Sequence, residues 1–200
     1  MNGVAQLLEP FARFDDLMRQ AKAVGADRLP EPTAFALATV SDDGHPAVRI
    51  LLLKGVDVNG FVFFTNHESR KGRELLAHPH AAMCFHWAPL ERQVRVEGVT
   101  SPVSTAEADA YFASRARGSQ IGAWASQQSR AIERPGDLEA RVRDVAARFE
   151  GQPVTRPPHW SGFRLLPHRI EFWQGMASRL HERTLYTRAA DGWRTETLYP

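Results

Sequence analysis

Apolar positions along the chain follow two periods. In "PFARFDDLMRQAKAVG", Phe11, Phe14, Leu17, Met18 and Ala21 recur every three or four residues. That spacing predicts a helix from Pro10 that stops at Gly25. From Thr33 the period shortens to two. "TAFALATV" and "AVRILLLKGVD" predict strands joined by the turn "SDDGHP", and "VNG" turns the chain into a third strand, "FVFFTN". "ESRKGRELLAHP" predicts a short helix with Ser69 as N-cap and His78-Pro79 as its exit. Strands at "AAMCFHW" and "RQVRVEGVTSPV" precede a helix in "STAEADAYFASRA", capped by Ser104 or Thr105. "RPGDLEARVRDVAARF" predicts another helix, with Pro135 near its start and Gly151 past its end. "RGSQIGAWASQQS" fits neither period. "FRLLPHRIEFWQG", "RLHERTLYTR" and "GWRTETLYP" close the chain as strands. Hairpin-length joins and more strands than helices predict one α+β domain over 1–200, a small antiparallel barrel with flanking helices. Residues 1–31 form an arm and helix, and 32–200 the barrel.

Composition narrows the class. Hydrophobic residues make up 43% and charged residues 24%, enough for a real core, and the formal net charge is only +2. No Lys/Arg run suggests a nucleic-acid arm. The start "MNGVAQLLEP" has no basic leader, and no apolar run approaches the ~20 residues of a membrane helix. A soluble, cytoplasmic protein is expected. Cys84 is the only cysteine, so no internal disulfide forms, and "AAMCFHW" places it as a small buried hydrophobe. GxGxxG, P-loop, GxSxG, HExxH and CxxC patterns are all missing. His78 and His80 flank Pro79 and read as a surface turn, not a metal site.

Four segments concentrate hydrogen-bond donors. "RILLLK", Arg49 to Lys54, reads as a strand buried on both faces with charged ends that snorkel into water. In "TNHESRKGREL", Arg70 and Lys71 fall in a first helical turn, where cations are unfavourable unless an anion is present. "RARGSQIGAW" carries two arginines, Ser119 and Gln120 on a glycine-containing backbone, and alone reads as a polar loop. In "EFWQGMASRLHER", strand alternation puts Arg179, His181 and Arg183 on one face, just after Trp173. Charged arginines disfavour a metal there, and a planar anionic ligand fits best. Together the four segments predict one anion-binding small-molecule site.

Read in order, "RILLLK", "FFTNHESRKG", "ERQVRVEG", "YFASRARGSQIGAW", "SQQS", "FWQG" and "RLHER" resemble the pyridoxamine 5'-phosphate oxidase family. The resemblance runs from about Pro32 to Pro200. It implies a split β-barrel, Greek-key-like, acting as a homodimer with FMN between subunits. The implied FMN contacts are Arg49, Ile50, Leu51, Leu52, Leu53, Lys54, Phe64, Thr65, Arg70, Lys71, Gln93, Gln128, Ser129, Trp173 and Arg183. Lys54, Tyr111, Arg115, Ser119, Arg179, Leu180 and His181 are the implied substrate contacts, with Arg179 and His181 nearest the reacting carbon. The implied reaction turns pyridoxamine or pyridoxine 5'-phosphate into pyridoxal 5'-phosphate. A hydride passes from C4' to the flavin, and O2 becomes H2O2. Departures from the family pattern are Ala116 in place of proline, Gly118 near an expected acid, "MAS" before Arg179, and about ten residues before the first helix. An FMN oxidase of another aromatic substrate, such as a phenazine precursor, is the nearest alternative. A non-catalytic flavin- or haem-binding split barrel is the second.

Overall fold

The computed structural model describes residues 3–200, with residues 3–7 in backbone only. The reading of Met1 and Asn2 as part of a leaderless start lies outside the described residues. Helix α1 spans Gly3–Ala23, so it begins well before Pro10. Pro10 lies inside it rather than opening it, so its missing N–H and ring clash, about 3 kcal/mol, are offset by the buried stripe that follows. The apolar stripe behaves as expected: Phe11, Phe14, Leu17, Met18 and Ala21 are all buried.

Among the described residues, nine strands form one sheet in which every pairing is antiparallel. They are β1 (Ala34–Val40), β2 (Pro46–Leu52), β3 (Gly55–Asp57), β4 (Gly60–Asn66) and β5 (His80–Trp87), then β6 (Arg92–Pro102), β7 (Trp160–Gln174), β8 (Glu182–Ala189) and β9 (Gly192–Leu198). Their order is β2-β1-β5-β6-β7-β4-β3, with β8 and β9 branching from β7. The branch makes the barrel split. One edge of β7 pairs with β4 through residues 160–165 and with β8 through residues 169–174, while β6 lines its other edge. Four further helices decorate the sheet: α2 (Arg70–Ala77), α3 (Thr105–Ser114), α4 (Arg117–Ala125) and α5 (Asp137–Arg148). Ser69 caps α2 and Ser104 caps α3 through their side chains. No helix of the described residues is long and apolar enough to cross a membrane.

Helix α1 closes the barrel interior. Phe14 meets Phe61 at 4.9 Å and Phe85 at 5.0 Å between ring centroids, both edge-on. Such pairs add about 0.5–1.5 kcal/mol beyond area burial.

Several expectations change. "AVRILLLKGVD" is two strands, because Leu53 N–H bonds Thr33 and Lys54 N–H bonds Val62, switching the chain from β1 to β4. The reading of "RILLLK" as buried on both faces is overturned. β2 is an edge strand paired only with β1, and Val48 and Ile50 are 69% and 65% exposed. Cys84 is half-buried rather than buried. "RGSQIGAWA" is helical despite its composition. Gln120 donates to the carbonyls of Phe112 and Ala113, and Ile121 joins a second core with Phe112, Phe149 and Trp160.

The bend of β7 depends on one glycine. The β6–β7 register shifts at Glu97/Gly98, opposite Pro167. A Cβ on Gly98 would stand 2.2 Å from the Leu166 carbonyl oxygen, which is backbone and cannot swing aside. Gly98→Ala is expected to destabilise the fold by about 3 kcal/mol, read as a lower denaturant midpoint. An unchanged midpoint would contradict this account of the bend.

Candidate functional site

The ends of β2 and β4, the start of α2 and the α3–α4 junction enclose a cavity of about 540 Å³. Ile50, Leu51, Leu52 and Lys54 line one side, and Phe64, Thr65, Asn66 and Lys71 the floor. Tyr111, Arg115, Ser119, Gln128 and Trp160 complete it. Three of the four donor-rich segments therefore meet. A larger hollow of about 770 Å³ lies against Arg117 and Glu150, but Arg117 donates to the carbonyls of Phe149 and Gln152 and offers little to a ligand.

The first turn of α2 supplies a buried cation. Lys71 donates to Gln128 Oε1 at 2.7 Å, and its Nζ lies 3.3 Å from the hydroxyls of Thr65 and Ser69. Burial, reinforced by the Arg49 guanidinium and partly offset by Glu74, pulls its pKa down to about 8. α2 sits tight on the preceding loop: a Cβ on Gly72 would be 2.5 Å from the carbonyl oxygens of Asn66 and His67. Under this turn, Glu74 is buried and accepts from Thr39, from Arg49 at 3.2 Å and from Arg70 at 2.8 Å. Its partners hold its carboxyl below the usual range against the opposing pull of burial. The charge of Arg49 is thus answered inside the fold, not at its surface.

The α3–α4 junction supplies a second cation. Arg115 lies 4.6 Å above the Trp160 ring, and its Nη1 is buried without a hydrogen-bond partner. Burial lowers its pKa, and Tyr111 only partly offsets this. Phe64 and Tyr111 stack beside it at 4.0 Å, with Phe64 and Trp160 stacked nearly parallel at an interplanar angle of 7°. A guanidinium with one buried, unpartnered nitrogen beside an aromatic wall is poised to accept a planar anion.

The fourth segment lies elsewhere. Gln93, Trp173 and Arg183 stand directly opposite one another on β6, β7 and β8 and form one cross-strand row. None of them lines the cavity, nor do Arg179 or His181. Within one chain, therefore, the fourth segment does not join the other three. Arg179 and His181 do not share a strand face with Arg183, because β8 starts only at Glu182. Ala177–Arg179 is a 3-10 turn, with Ser178 and Arg179 at φ of 57° and 61°. Trp173 still meets the His181 ring, at 4.7 Å, and Met176 N–H donates to His181 Nδ1 at 3.2 Å. Leu180 is 70% exposed. Of the remaining residues, Leu53 points into the core, exposed Arg70 reaches back to the buried Glu74, and Ser129 is an exposed loop residue at φ 71°. Sequence reasoning missed Glu74 and Trp160. Glu74, one helical turn after Arg70, carried the signal of an ion pair but none of its burial; Trp160 carried none.

Residues 21–149 match the family model described as pyridoxamine 5'-phosphate oxidase. Residues 160–200 match the pyridoxine 5'-phosphate oxidase C-terminal dimerisation region. The chain is 58% identical over 193 residues to a pyridoxine/pyridoxamine 5'-phosphate oxidase of Myxococcus xanthus, covering 96% of this chain and 92% of the relative. A Burkholderia vietnamiensis protein of the same name is 56% identical, covering 96% and 89%. Among solved structures, PhzG from Burkholderia lata, in complex with tetrahydrophenazine-1-carboxylic acid, superposes with a TM-score of 0.89 at 32% identity, covering 96% and 92%. An FMN-binding protein of Nostoc punctiforme shares the fold, with a TM-score of 0.74 at 19% identity over 94% and 96%. By sequence and by architecture, the chain belongs to the pyridoxamine 5'-phosphate oxidase family.

Proposed function

We propose that this protein is a homodimeric, FMN-dependent oxidase that converts pyridoxamine or pyridoxine 5'-phosphate to pyridoxal 5'-phosphate, reducing O2 to H2O2. The observation that carries the substrate is the buried, unpartnered Arg115 Nη1 in a cavity shared with Lys54, Tyr111 and Ser119. Two cations and two hydroxyls suit a phosphate with several acceptor oxygens. The names of the relatives at 55–58% identity support the same reading.

The residues fit FMN as cofactor. Lys71 at the α2 N-terminus, with Thr65 and Gln128, is a partly assembled phosphate cradle. The Gln93–Trp173–Arg183 row offers an amide, a ring and a guanidinium to the same cofactor across the subunit boundary. A homodimer places the row of one subunit over the cavity of its partner, and it covers the exposed apolar edge of β2. When bound, FMN supplies the two-electron acceptor and the reaction with O2. The chain supplies the rest. Lys54, Tyr111, Arg115 and Ser119 anchor the substrate phosphate. Phe64 and Trp160 give the anchor a dry wall. Arg179 lies exposed on its turn, free to approach the substrate and stabilise developing negative charge. His181 accepts at Nδ1, so its neutral form carries the proton on Nε2 and donates there. It therefore orients the substrate ring instead of removing a proton.

A phenazine-precursor oxidase is the second reading, favoured by the superposition on PhzG. Steady-state H2O2 production separates the two. Pyridoxine 5'-phosphate is expected to turn over with H2O2 formed in equal amount, and unphosphorylated pyridoxine far less efficiently. Equal efficiency for both would remove the phosphate argument.

A further inference from the structure

Glu171 sits at 7% exposure on the face of β7 that carries Trp173, although an isolated buried carboxylate is costly. It is not isolated. Arg95, its direct partner on β6, donates to Oε2 at 3.3 Å. From β8, Arg183 closes a two-pronged fork, Nε to Oε1 at 2.9 Å and Nη2 to Oε2 at 3.2 Å. A third contact runs from Arg183 Nη1 to the Tyr199 carbonyl at 2.9 Å. A guanidinium has five N–H donors in one plane. The fork uses the Nε side, and Tyr199 takes one hydrogen of Nη1. One hydrogen on Nη1 and one on Nη2 are left for a ligand.

We infer that Glu171 is a positioning residue: it fixes the plane of Arg183 so that the remaining N–H groups address FMN. This rests on the assignment of Arg183 to the cofactor in the proposed function. A free arginine on a strand face samples many rotamers, and locking them before FMN arrives removes that entropy cost from binding. Arg95 completes the device by pairing with Glu171 from the other side and bonding Glu97 at 3.1 Å, so the carboxylate is held in place.

The test is a double-mutant cycle on FMN affinity, measured by quenching of flavin fluorescence as apoprotein is added. Glu171→Gln keeps the shape but loses the charge and one prong. It is expected to weaken FMN binding about tenfold. Arg183→Ala should weaken it at least as much, and the double variant should match Arg183→Ala alone. At saturating FMN, the visible circular dichroism of the flavin in Glu171→Gln should resemble that of Arg183→Ala, a signature that general loosening would not reproduce. If Glu171→Gln fails to fold, Glu171→Asp, one methylene too short for the fork, enters the same cycle. Wild-type affinity in the Glu171 variant, or losses that multiply in the double variant, would overturn the positioning role alone. Wild-type affinity in Arg183→Ala would overturn it together with the cofactor assignment beneath it.

Discussion

Replacing Arg115 with alanine is expected to lower kcat/KM for pyridoxine 5'-phosphate about a hundredfold. The reason is the state of this side chain before substrate arrives. Its Nη1 is already out of water and has no partner, so folding has borne its desolvation. An arriving phosphate gains a charge-assisted bond with only its own desolvation to offset. Such bonds are worth roughly 1.5–3 kcal/mol each, and about 2.7 kcal/mol corresponds to a hundredfold in rate. Removing an unsatisfied buried cation should also leave the free protein as stable as before, or more so. Arg115→Lys should recover about a tenth of the lost efficiency, since it restores charge but not the planar fork. Efficiency toward unphosphorylated pyridoxine should barely change. Steady-state kinetics with both substrates, alongside thermal melts, check this. A loss smaller than threefold with the phosphorylated substrate, or an equal loss with both, would refute a phosphate role for Arg115.

FMN affinity is expected to fall as pH rises above 8, by up to tenfold per unit. Lys71 is responsible. In the free folded protein it deprotonates near pH 8, whereas an unfolded chain keeps that proton to about 10.5. Between those values the unfolded chain holds more protons. The free protein therefore gains stability with rising pH in that window and carries the full cost of the buried cation below it. Binding has the opposite sign. A phosphate dianion beside Lys71 restores its charge, so above pH 8 binding must take up a proton, and affinity drops as protons become scarce. The phosphate's own second ionisation, near pH 6, lies below the window. Lys71→Met should lose about a hundredfold in affinity at pH 7. It should also flatten the pH slope and raise the stability of the free protein at neutral pH. Fluorescence titration of apoprotein with FMN from pH 7 to 9.5 measures all but the last, which chemical denaturation supplies. A slope that persists in Lys71→Met would assign the effect to another group.

Much of this site was legible in the chain, and what was hidden had physical causes. Ser69 and the run Arg70–Lys71 announced a helix start that wants an anion, and the structure answers with a buried lysine under that cap. "RILLLK" was misread because apolarity reports that a strand is covered, not what covers it. Val48 and Ile50 stand exposed on an edge strand. Arg179 and His181 escaped the alternation rule because Ser178 and Arg179 adopt left-handed backbone, a conformation that no glycine or asparagine flagged. α4 lacks a side-chain cap and contains Gly118 and Gly122, so its helicity comes from tertiary contacts such as the Trp124 Nε1 bond to the Thr155 carbonyl at 2.7 Å. Glu74 and Glu171 resembled solvated acids in sequence. Only the fold reveals that each is buried against an arginine assigned to the cofactor.

The central claim, an FMN oxidase of a phosphorylated pyridine, meets its most direct test in one anaerobic cuvette. The FMN-loaded protein is mixed with pyridoxine 5'-phosphate without oxygen, and the flavin band near 450 nm is followed. Bleaching with one equivalent of substrate is expected, with pyridoxal 5'-phosphate formed and colour restored when air is admitted. A spectrum that stays oxidised with pyridoxine 5'-phosphate and with pyridoxamine 5'-phosphate would contradict it.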